Sequence, residues 1–411
     1  MSAHRRANSR HRVAVLLPAE ERFDGRGGAV ATWVRDVYSR LNKPSAVYSV
    51  SSNSNFGTGL TLVGDRWYRV YDRAAVWAAR IIGPLMRRPW WGVYDRLLFG
   101  GKVWVAAISR ALRQEQVLHI HNRPRYAVWL RSRGYTGVIV LHMHNDLLRY
   151  VDRREFPALK AAVNSFAFCS QYLAEKAVRD FGPHPGEVLY NCVDTSRAFR
   201  VAQGVRRPNS LAFVGRLIQE KGALEAIRVC QALNNIDSEA QWTLDIYGGA
   251  AAGVSLYETD YTRRVGMLCA DVNRAAGREM VRLRGHLSHE RLAESLAMTT
   301  FFLYPCQWEE PFGMVLIEAM ALGLVPVASR KGGISEIVEH GVSGVLIDDA
   351  ADDDGFASEI LRLSKNADVL DAMRMRGLQS ARRFSPENAA KELTALLDRL
   401  HGTALTVGDS S

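Results

Sequence analysis

Short apolar runs rich in β-branched and aromatic residues alternate with longer helical patterns along nearly the whole chain, and this alternation constrains the fold most strongly. In the first half, the runs that predict strands are 13–17, 46–50, 117–121, 138–142, 166–169 and 188–190. In the second half they are 211–214, 242–247, 281–284, 301–304, 325–328 and 345–347. Because strands alternate with helices, we expect an α/β fold of parallel sheets with helices on both faces.

The length predicts two domains, since 411 residues exceed the size of one ordinary hydrophobic core. Segment 202–210 has little apolar content and holds Gly204 and Pro208, so we interpret it as a linker. We therefore expect one Rossmann-like domain over 1–200 and another over 201–385. Ligands of such sheets bind beyond the carboxyl ends of the strands.

The net charge of +10 favours acidic partners such as nucleic acid, anionic lipid or phosphorylated ligands, although solubility alone also explains it. The cysteines are scattered without a CxxC pair, which favours buried thiols in a reducing compartment. No apolar run reaches the roughly 18 residues of a membrane span, and no signal-type apolar region precedes the first strand. We expect a cytoplasmic protein, at most attached to the inner face of a membrane.

A loop after one of the C-terminal strands carries two glutamates around a helix start, and a helical pattern follows at 314–322. Pro311 suits the first helical position, because proline lacks the N–H that would be unpaired there. That places Glu310 near the N-cap, Glu318 two turns into the helix, and free N–H groups at 312–315, where a diphosphate would bind. Gly313 lets a ligand approach the backbone. Taken alone, Glu310 could merely cap the helix and Glu318 could be a solvated side chain.

A strand, a glycine and two cations form a second motif upstream, at 213–217 and Lys221. Gly215 is followed by Arg216, and Lys221 stands just before a helical pattern. Arg216 could hold a phosphate pair through a bidentate contact and Lys221 as a point charge. Two surface cations at a helix start are the alternative, and the downstream glutamate motif favours the phosphate role.

These motifs, in this order, resemble those of the retaining GT-B glycosyltransferases of family 4, the glycosyl transferases group 1. The matching features are 213–217 with Lys221, the E-x7-E spacing of Glu310 and Glu318, and the stretches 170–173, 189–194, 319–323 and 383–385. Cys192 stands where the family usually has glycine. The resemblance covers the chain from about 11 to 400. It implies two Rossmann-like domains facing across a cleft, with a C-terminal helix over 386–400 crossing back to the first domain.

Carried over residue by residue, the resemblance implies a donor site in the second half. Arg216 and Lys221 would neutralise the diphosphate of a nucleotide sugar, Glu310 would contact sugar hydroxyls, and Glu318 would bind the ribose. The other implied donor contacts are the backbone N–H groups of Phe312, Gly313 and Met314, and the strand end at Arg284, where the base is read.

The resemblance also implies contributions from the first half. The pair Gly27-Gly28 would pass under the donor phosphates, and His144 would contact the donor sugar, although a shift of two residues in the alignment would give that role to His142. The implied reaction retains the anomeric configuration, and the leaving diphosphate takes the acceptor proton. We expect a UDP-sugar donor, with GDP-mannose as the alternative, a glycan or lipid-linked acceptor, and no metal or other cofactor.

Histidines end two predicted strands, in the runs 119–121 and 142–144. Alternate residues of a strand share one face, so each run places its two histidines together. A metal could bind there, but the runs also hold amide and basic groups and the resemblance implies metal-independent enzymes, so we expect none. The candidates for acceptor contacts are His121, Asn122, Arg123 and Tyr126.

Stretch 66–104 combines tryptophans with arginines. Arg73, Arg80 and Arg87 share one helical face beside an apolar stripe, which is typical of basic helices at a membrane interface. A helix packed on the first domain, with its charged face in water, also explains the pattern. We favour docking on an anionic membrane that carries a lipid-linked acceptor.

Other classes of protein stay open on the sequence. A nucleic-acid or other polyanion-binding protein would explain the charge and stretch 66–104, but it leaves the donor motifs unexplained. A GT-B epimerase would need catalytic acids that are not evident, and a phosphorylase usually has a cofactor lysine in another sequence setting. We therefore predict an enzyme, a hexosyltransferase of cell-surface polysaccharide or glycoconjugate synthesis, with no nucleic acid as partner.

Overall fold

A computed structural model describes residues 13–18, 21, 28–41, 45–48, 60–63, 74, 77–78, 80–82, 100–113, 115–196, 206–249 and 259–408. The chain divides into two compact units, one formed by 1–191 with 386–411 and the other by 192–385. Segment 202–210, predicted as a linker, falls within the second unit. There the Arg206 guanidinium donates hydrogen bonds to the backbone carbonyls of Thr299 and Leu322.

Strands and helices alternate along the described residues. The strands are β1 (Val13–Leu16), β2 (Ser45–Tyr48), β3 (Leu60–Val63), β4 (Val117–His121), β5 (Val138–Met143), β6 (Ser165–Phe168), β7 (Gly186–Val188), β8 (Ser210–Val214), β9 (Thr243–Tyr247), β10 (Val281–Gly285), β11 (Phe301–Tyr304), β12 (Val325–Ser329) and β13 (Val345–Ile347). The helices are α1 (Ala29–Tyr38), α2 (Gly100–Leu112), α3 (Pro124–Arg131), α4 (Phe156–Ala162), α5 (Gln171–Phe181), α6 (Ala223–Ile236), α7 (Asp260–Ala276), α8 (His289–Ala297), α9 (Met314–Ala321), α10 (Ile334–Ile337), α11 (Asp353–Ser364), α12 (Ala367–Ala381) and α13 (Pro386–Gly408).

Each unit contains one parallel sheet of doubly wound topology. The first sheet has the order β3-β2-β1-β4-β5-β6-β7 and the second the order β10-β9-β8-β11-β12-β13. In both sheets, the first strands of the unit are added on one side and the later strands on the other side. This switch in strand order falls between β1 and β4 in the first sheet and between β8 and β11 in the second. Such a switch point leaves a crevice at the carboxyl ends of the two strands. The α/β prediction is confirmed, and the crevices mark where functional residues should lie.

Burial explains why most strands can be recognised from the sequence. The central strands β4, β5 and β11 are buried along their whole length, because helices cover both faces of a parallel sheet. β3 was not predicted. It is a four-residue strand at the edge of the first sheet, paired only with β2 among the described strands.

Helix α13 belongs to the first unit. Its buried residues Ala389, Ala390, Leu393, Leu396 and Leu397 recur at helical spacing, and the helix packs against α1 and β5. The Arg40 guanidinium at the end of α1 donates a 2.6 Å hydrogen bond to the carboxylate of Glu387. Among the helices formed by the described residues, none combines the length and apolar character needed to span a membrane.

Most of stretch 66–104 lies outside the described residues, including Arg73 and Arg87. Trp77 and Ile81 are described, and they are 69% and 47% exposed. Trp104, on α2, is fully buried and belongs to the core of the first unit. The stretch thus contains both a structural tryptophan and an exposed apolar pair.

Candidate active site

The centre of the second unit's crevice is an ion pair between Lys221 and Glu310. Lys221 lies in the loop that follows β8, and Glu310 lies in the loop that follows β11. The side chains are only 14% and 10% exposed. Both loops leave the switch point, which is why two residues far apart in sequence meet there.

Four donors converge on a single oxygen of Glu310. Besides Lys221, Tyr304 donates to Oε2 over 3.0 Å and the Trp308 indole N–H over 2.9 Å. The Cys306 thiol contacts the same oxygen at 3.7 Å. No described residue donates to Oε1, so the carboxylate is held by one oxygen and has the other available for a ligand.

Tyr304, Cys306 and Trp308 were not predicted as site residues, although all three lie in the sequence run that carries Glu310. Burial, and next the neighbouring Glu310 carboxylate, raises the pKa of the Cys306 thiol to about 12. The pKa of Tyr304 is raised well above its ordinary value, first by burial and then by Glu310. Both groups therefore keep their protons near neutral pH and act as donors to the carboxylate.

Two glycines let the backbone come close to this loop. Gly222, next to Lys221, has φ +82°, and a Cβ there would lie 1.9 Å from the carbonyl oxygen of Pro305. Gly332 has φ +56°, and a Cβ there would lie 2.3 Å from the carbonyl oxygen of Glu310. Any other residue at either position would push the loops apart.

The helix after the loop begins at Met314, as the helical pattern at 314–322 predicts. α9 starts at Met314, with Gly313 as N-cap at φ +108°, so the prediction of Pro311 as first helical residue is wrong. The Glu310 carbonyl instead accepts a hydrogen bond from Gly333 N–H, which keeps Glu310 and Pro311 in the loop. The helix has no side-chain cap and no acidic residue in its first turn. Its positive end is therefore open to an anion.

The other predicted donor residues of the second unit differ in their exposure. Arg216 is exposed and makes no ion pair with the described residues. Glu318 is half-buried on α9, and burial raises its pKa while the charge of His289 opposes the shift. Phe312 is 2% exposed and packs edge-on against Phe384 at 5.5 Å, so only its backbone is available.

Arg284 makes a contact that was not predicted. Its guanidinium donates to the carboxylate of Asp245 on β9, which Arg207 and Arg282 also bind. Asp245 is 1% exposed. Burial alone would raise its pKa, but hydrogen bonds and charge from Arg284 and Arg282 outweigh burial and lower it. The Arg284 side chain is thus paired with a buried carboxylate. A contact with the nucleotide base at this strand end would have to come from the backbone.

The predicted glycine pair is described only in part. Gly27 lies outside the described residues. Gly28 is the N-cap of α1, and its N–H donates to Glu21 Oε2 at 3.1 Å. Burial raises the pKa of Glu21, while hydrogen bonds from the N–H groups of Gly28 and Ala31 oppose the shift. The Glu21 carboxylate therefore occupies the helix start that was assigned to donor phosphates.

His144 lies at the carboxyl end of β5 in the first unit, and both of its ring nitrogens are engaged. Nδ1 bonds to the side-chain oxygen of Asn191, and Nε2 lies 2.8 Å from Nδ1 of His121. His144 is 6% exposed. Burial lowers its pKa to about 4, against the hydrogen bond to Asn191, so the ring is neutral near pH 7.

His142, the alternative to His144, is fully buried and donates from Nε2 to the carbonyl of Leu189 at 3.2 Å. Among the predicted acceptor residues, Tyr126 is 1% exposed, so its ring belongs to the core. Asn122 has φ +53°, and its side-chain oxygen accepts from the backbone N–H of His144. Asn122 thus fixes the loop that carries the histidine.

Residues 196–380 match the family described as Glycosyl transferases group 1. The chain carries a glycosyl transferases group 1 domain. This domain contains the Lys221–Glu310 centre, α9 and the Asp245 cluster.

The chain is similar to proteins that bind or transfer sugars. It is 23% identical over 358 residues to the lipopolysaccharide 1,2-N-acetylglucosaminetransferase of Salmonella typhimurium, covering 81% of this chain and 84% of the relative. Anabaena Alr3699/HepE, solved in complex with UDP and glucose, superposes with a TM-score of 0.67 at 18% identity, covering 94% and 99% of the two chains. The trehalose 6-phosphate synthase of Burkholderia multivorans gives 0.73 at 15% identity, covering 98% and 99%. These solved structures establish a GT-B-type α/β fold.

Proposed function

We propose that the chain is a retaining family 4 glycosyltransferase that moves a hexose or N-acetylhexosamine from a UDP-sugar to a glycan or lipid-linked acceptor. The group 1 domain would bind the donor. GDP-mannose is the alternative donor. The transfer would take place in the cytoplasm, as part of polysaccharide or glycoconjugate synthesis.

The observation that carries the proposal is that the described residues hydrogen-bond only one of the two carboxylate oxygens of Glu310. Its Oε2 is saturated by Lys221, Tyr304 and Trp308, while no described residue donates to Oε1. A carboxylate oxygen held in a buried crevice accepts a charge-assisted hydrogen bond, and sugar hydroxyls are the donors that such an oxygen suits. Glu310 would hold the donor sugar, and it would perform no acid–base step.

The diphosphate would lie at the open start of α9, where the helix dipole and free N–H groups favour negative charge. Arg216, exposed and without an ion pair among the described residues, is free to add a bidentate contact. Lys221 would share its charge between Glu310 and the phosphate. With these cations in place, charge neutralisation of the diphosphate needs no metal ion.

His144 would contact the sugar only after a local exchange of partners. Its Nε2 is bonded to His121, so a sugar hydroxyl would replace that bond, and Asn191 would still hold Nδ1. The proposed sugar contact of Glu310 requires no such exchange, because no described residue donates to its Oε1.

A donor screen tests the proposal. We expect the purified chain to release a nucleoside diphosphate slowly from one of UDP-glucose, UDP-N-acetylglucosamine and GDP-mannose without acceptor, and faster with acceptor. A UDP-sugar should be preferred. Release from GDP-mannose alone would replace the UDP-sugar by the alternative donor, and release from none would count against a transferase.

The exposed pair Trp77 and Ile81 favours contact of the acceptor side with a membrane. We expect the full chain to co-sediment with anionic phosphatidylserine-containing liposomes at low salt, and Trp77→Ala to weaken that binding. Neutral liposomes of the same size are the control. If the chain does not co-sediment with these liposomes at low salt, the proposed docking on an anionic membrane is wrong.

A further inference from the structure

Four buried histidines form a cluster in the first unit, and the proposed donor contact of His144 leaves the other three without a role. His119 and His121 lie on β4 and His142 on β5, and His121 stands directly beside His142 in the parallel register. His144 follows β5. The indole of Trp33, on α1, packs over all four rings at centroid distances of 4.9 to 5.9 Å.

Three of these rings each have one ring nitrogen without a hydrogen-bond partner. The unpartnered atoms are His119 Nε2, His121 Nε2 and His142 Nδ1, and all three side chains are fully buried. A buried polar atom without a partner costs about 1–3 kcal/mol. Three such atoms on one face of one sheet call for a common partner.

The hydrogen bonds on the opposite nitrogens set which tautomers are present. His142 must donate from Nε2 to the Leu189 carbonyl, so its Nδ1 carries a lone pair. His144 donates from Nδ1 to the Asn191 oxygen, so its Nε2 accepts from Nδ1–H of His121, and His121 Nε2 carries a lone pair.

His119 completes the set. Its Nδ1 lies 2.7 Å from the Tyr38 hydroxyl, and when Nδ1–H donates there, Nε2 also carries a lone pair. Each ring is therefore oriented by an outer partner: a tyrosine, a second histidine or a backbone carbonyl. Outer partners of this kind normally support histidines that ligate a metal.

We propose that His119, His121 and His142 form a binding site for one transition-metal ion of the zinc type. One ring nitrogen from each lies within 4.8 Å of the others. Zinc at about 2.0–2.1 Å from each nitrogen requires a mutual spacing of roughly 3.3–3.5 Å. Small torsional adjustments of the three side chains supply that contraction.

The ligand chemistry selects the class of ion. Three neutral imidazoles suit zinc, copper, iron or nickel, and they do not suit magnesium or calcium, which prefer oxygen ligands. With three protein ligands, zinc keeps a fourth position for water. The ion would link β4 to β5 within the first unit, where Trp33 of α1 packs against the histidine rings. The sequence argued against a metal at these runs because they also hold amide and basic groups and because the resemblance implies metal-independent enzymes.

Zinc retention by the full chain tests the site. We expect protein stripped with a chelator, loaded with zinc chloride and dialysed against metal-free buffer to retain one zinc ion per chain by mass spectrometry. Affinity should fall at least about 100-fold in His121→Gln and His142→Gln, as the loss of one ligand in three predicts. His184→Gln, in the same unit but outside the cluster, should retain zinc as the wild type does.

Two further measurements cover the case in which a ligand variant fails to fold. Cobalt chloride added to the stripped wild type should produce the visible d–d absorption of a nitrogen-ligated ion. Tyr38→Phe, which removes only the partner of His119 Nδ1, should weaken zinc binding about 10- to 100-fold. Substoichiometric zinc with no cobalt absorption, or equal affinity in wild type and ligand variants, would overturn the proposal.

Discussion

Glu310→Gln is expected to reduce the release of nucleoside diphosphate from the preferred donor by at least about 100-fold, with the chain still folded. The substitution preserves size but removes the charge that makes Oε1 a strong acceptor for a sugar hydroxyl. It also deprives Lys221 of its counter-ion, so the lysine would pair with the phosphate alone. At about 1.4 kcal/mol per factor of ten, the expected loss of transition-state stabilisation is at least about 2.8 kcal/mol. Initial rates with saturating donor measure it.

Glu339→Gln provides the matched control. Glu339 is exposed at the end of α10, and no side-chain hydrogen bond to it is seen among the described residues. Its rate should stay within about threefold of the wild type, as expected for a surface substitution. A Glu310→Gln protein that is as active as this control would show that Glu310 is only a structural partner of Lys221.

The second large effect is expected from Gly222→Ala, which should destabilise the second unit by more than about 3 kcal/mol and abolish donor turnover. The residue has φ +82°, and the added Cβ would lie 1.9 Å from the Pro305 carbonyl oxygen. Two backbones would have to separate, and the hydrogen bond from Gln307 N–H to the Glu220 carbonyl would stretch with them. The Lys221–Glu310 pair spans the same two loops. Thermal and chemical denaturation measure the stability.

Gly277→Ala is the control that separates the backbone strain of a positive φ from the steric clash of the added Cβ. Gly277 also has a positive φ, +63°, but an added Cβ there has nothing within 4 Å. Its cost should be about 1 kcal/mol, the usual penalty for a left-handed non-glycine residue. Equal destabilisation by the two substitutions would mean that the close approach of the loops is not what holds them together.

The sequence predicted most of the fold because parallel strands are buried on both faces and read as continuous apolar runs. β4, β11 and β13 have the predicted bounds. β3, a four-residue strand at the edge of the sheet, was not predicted. The helical pattern at 314–322 gave the start of α9 correctly, but Pro311 was wrongly interpreted as its first residue. The hydrogen bond from Gly333 to the Glu310 carbonyl, which keeps Pro311 in the loop, joins residues of two separate loops and cannot be read from the sequence.

The sequence predicted residues for the candidate site but not the contacts between them. The motifs placed Lys221 and Glu310 after strands, and in the structure the two residues follow β8 and β11. Their pairing, and the convergence of Tyr304 and Trp308 on one oxygen, depend on loop geometry that spacing does not encode. In the same way, the histidine runs were visible in the sequence, but the ring nitrogens without partners were not.

The central claim is that the second unit binds a nucleoside diphosphate, and the melting temperature of the full chain with UDP, GDP or a single-stranded oligonucleotide tests it most directly. A ligand that binds only the folded state stabilises it by about 2.7 kcal/mol at 100 times its Kd, which gives a shift of several degrees. The account predicts such a shift with UDP, a smaller one with GDP, and loss of both in Arg216→Ala. Stabilisation by the oligonucleotide alone, with no response to either nucleotide, would contradict it.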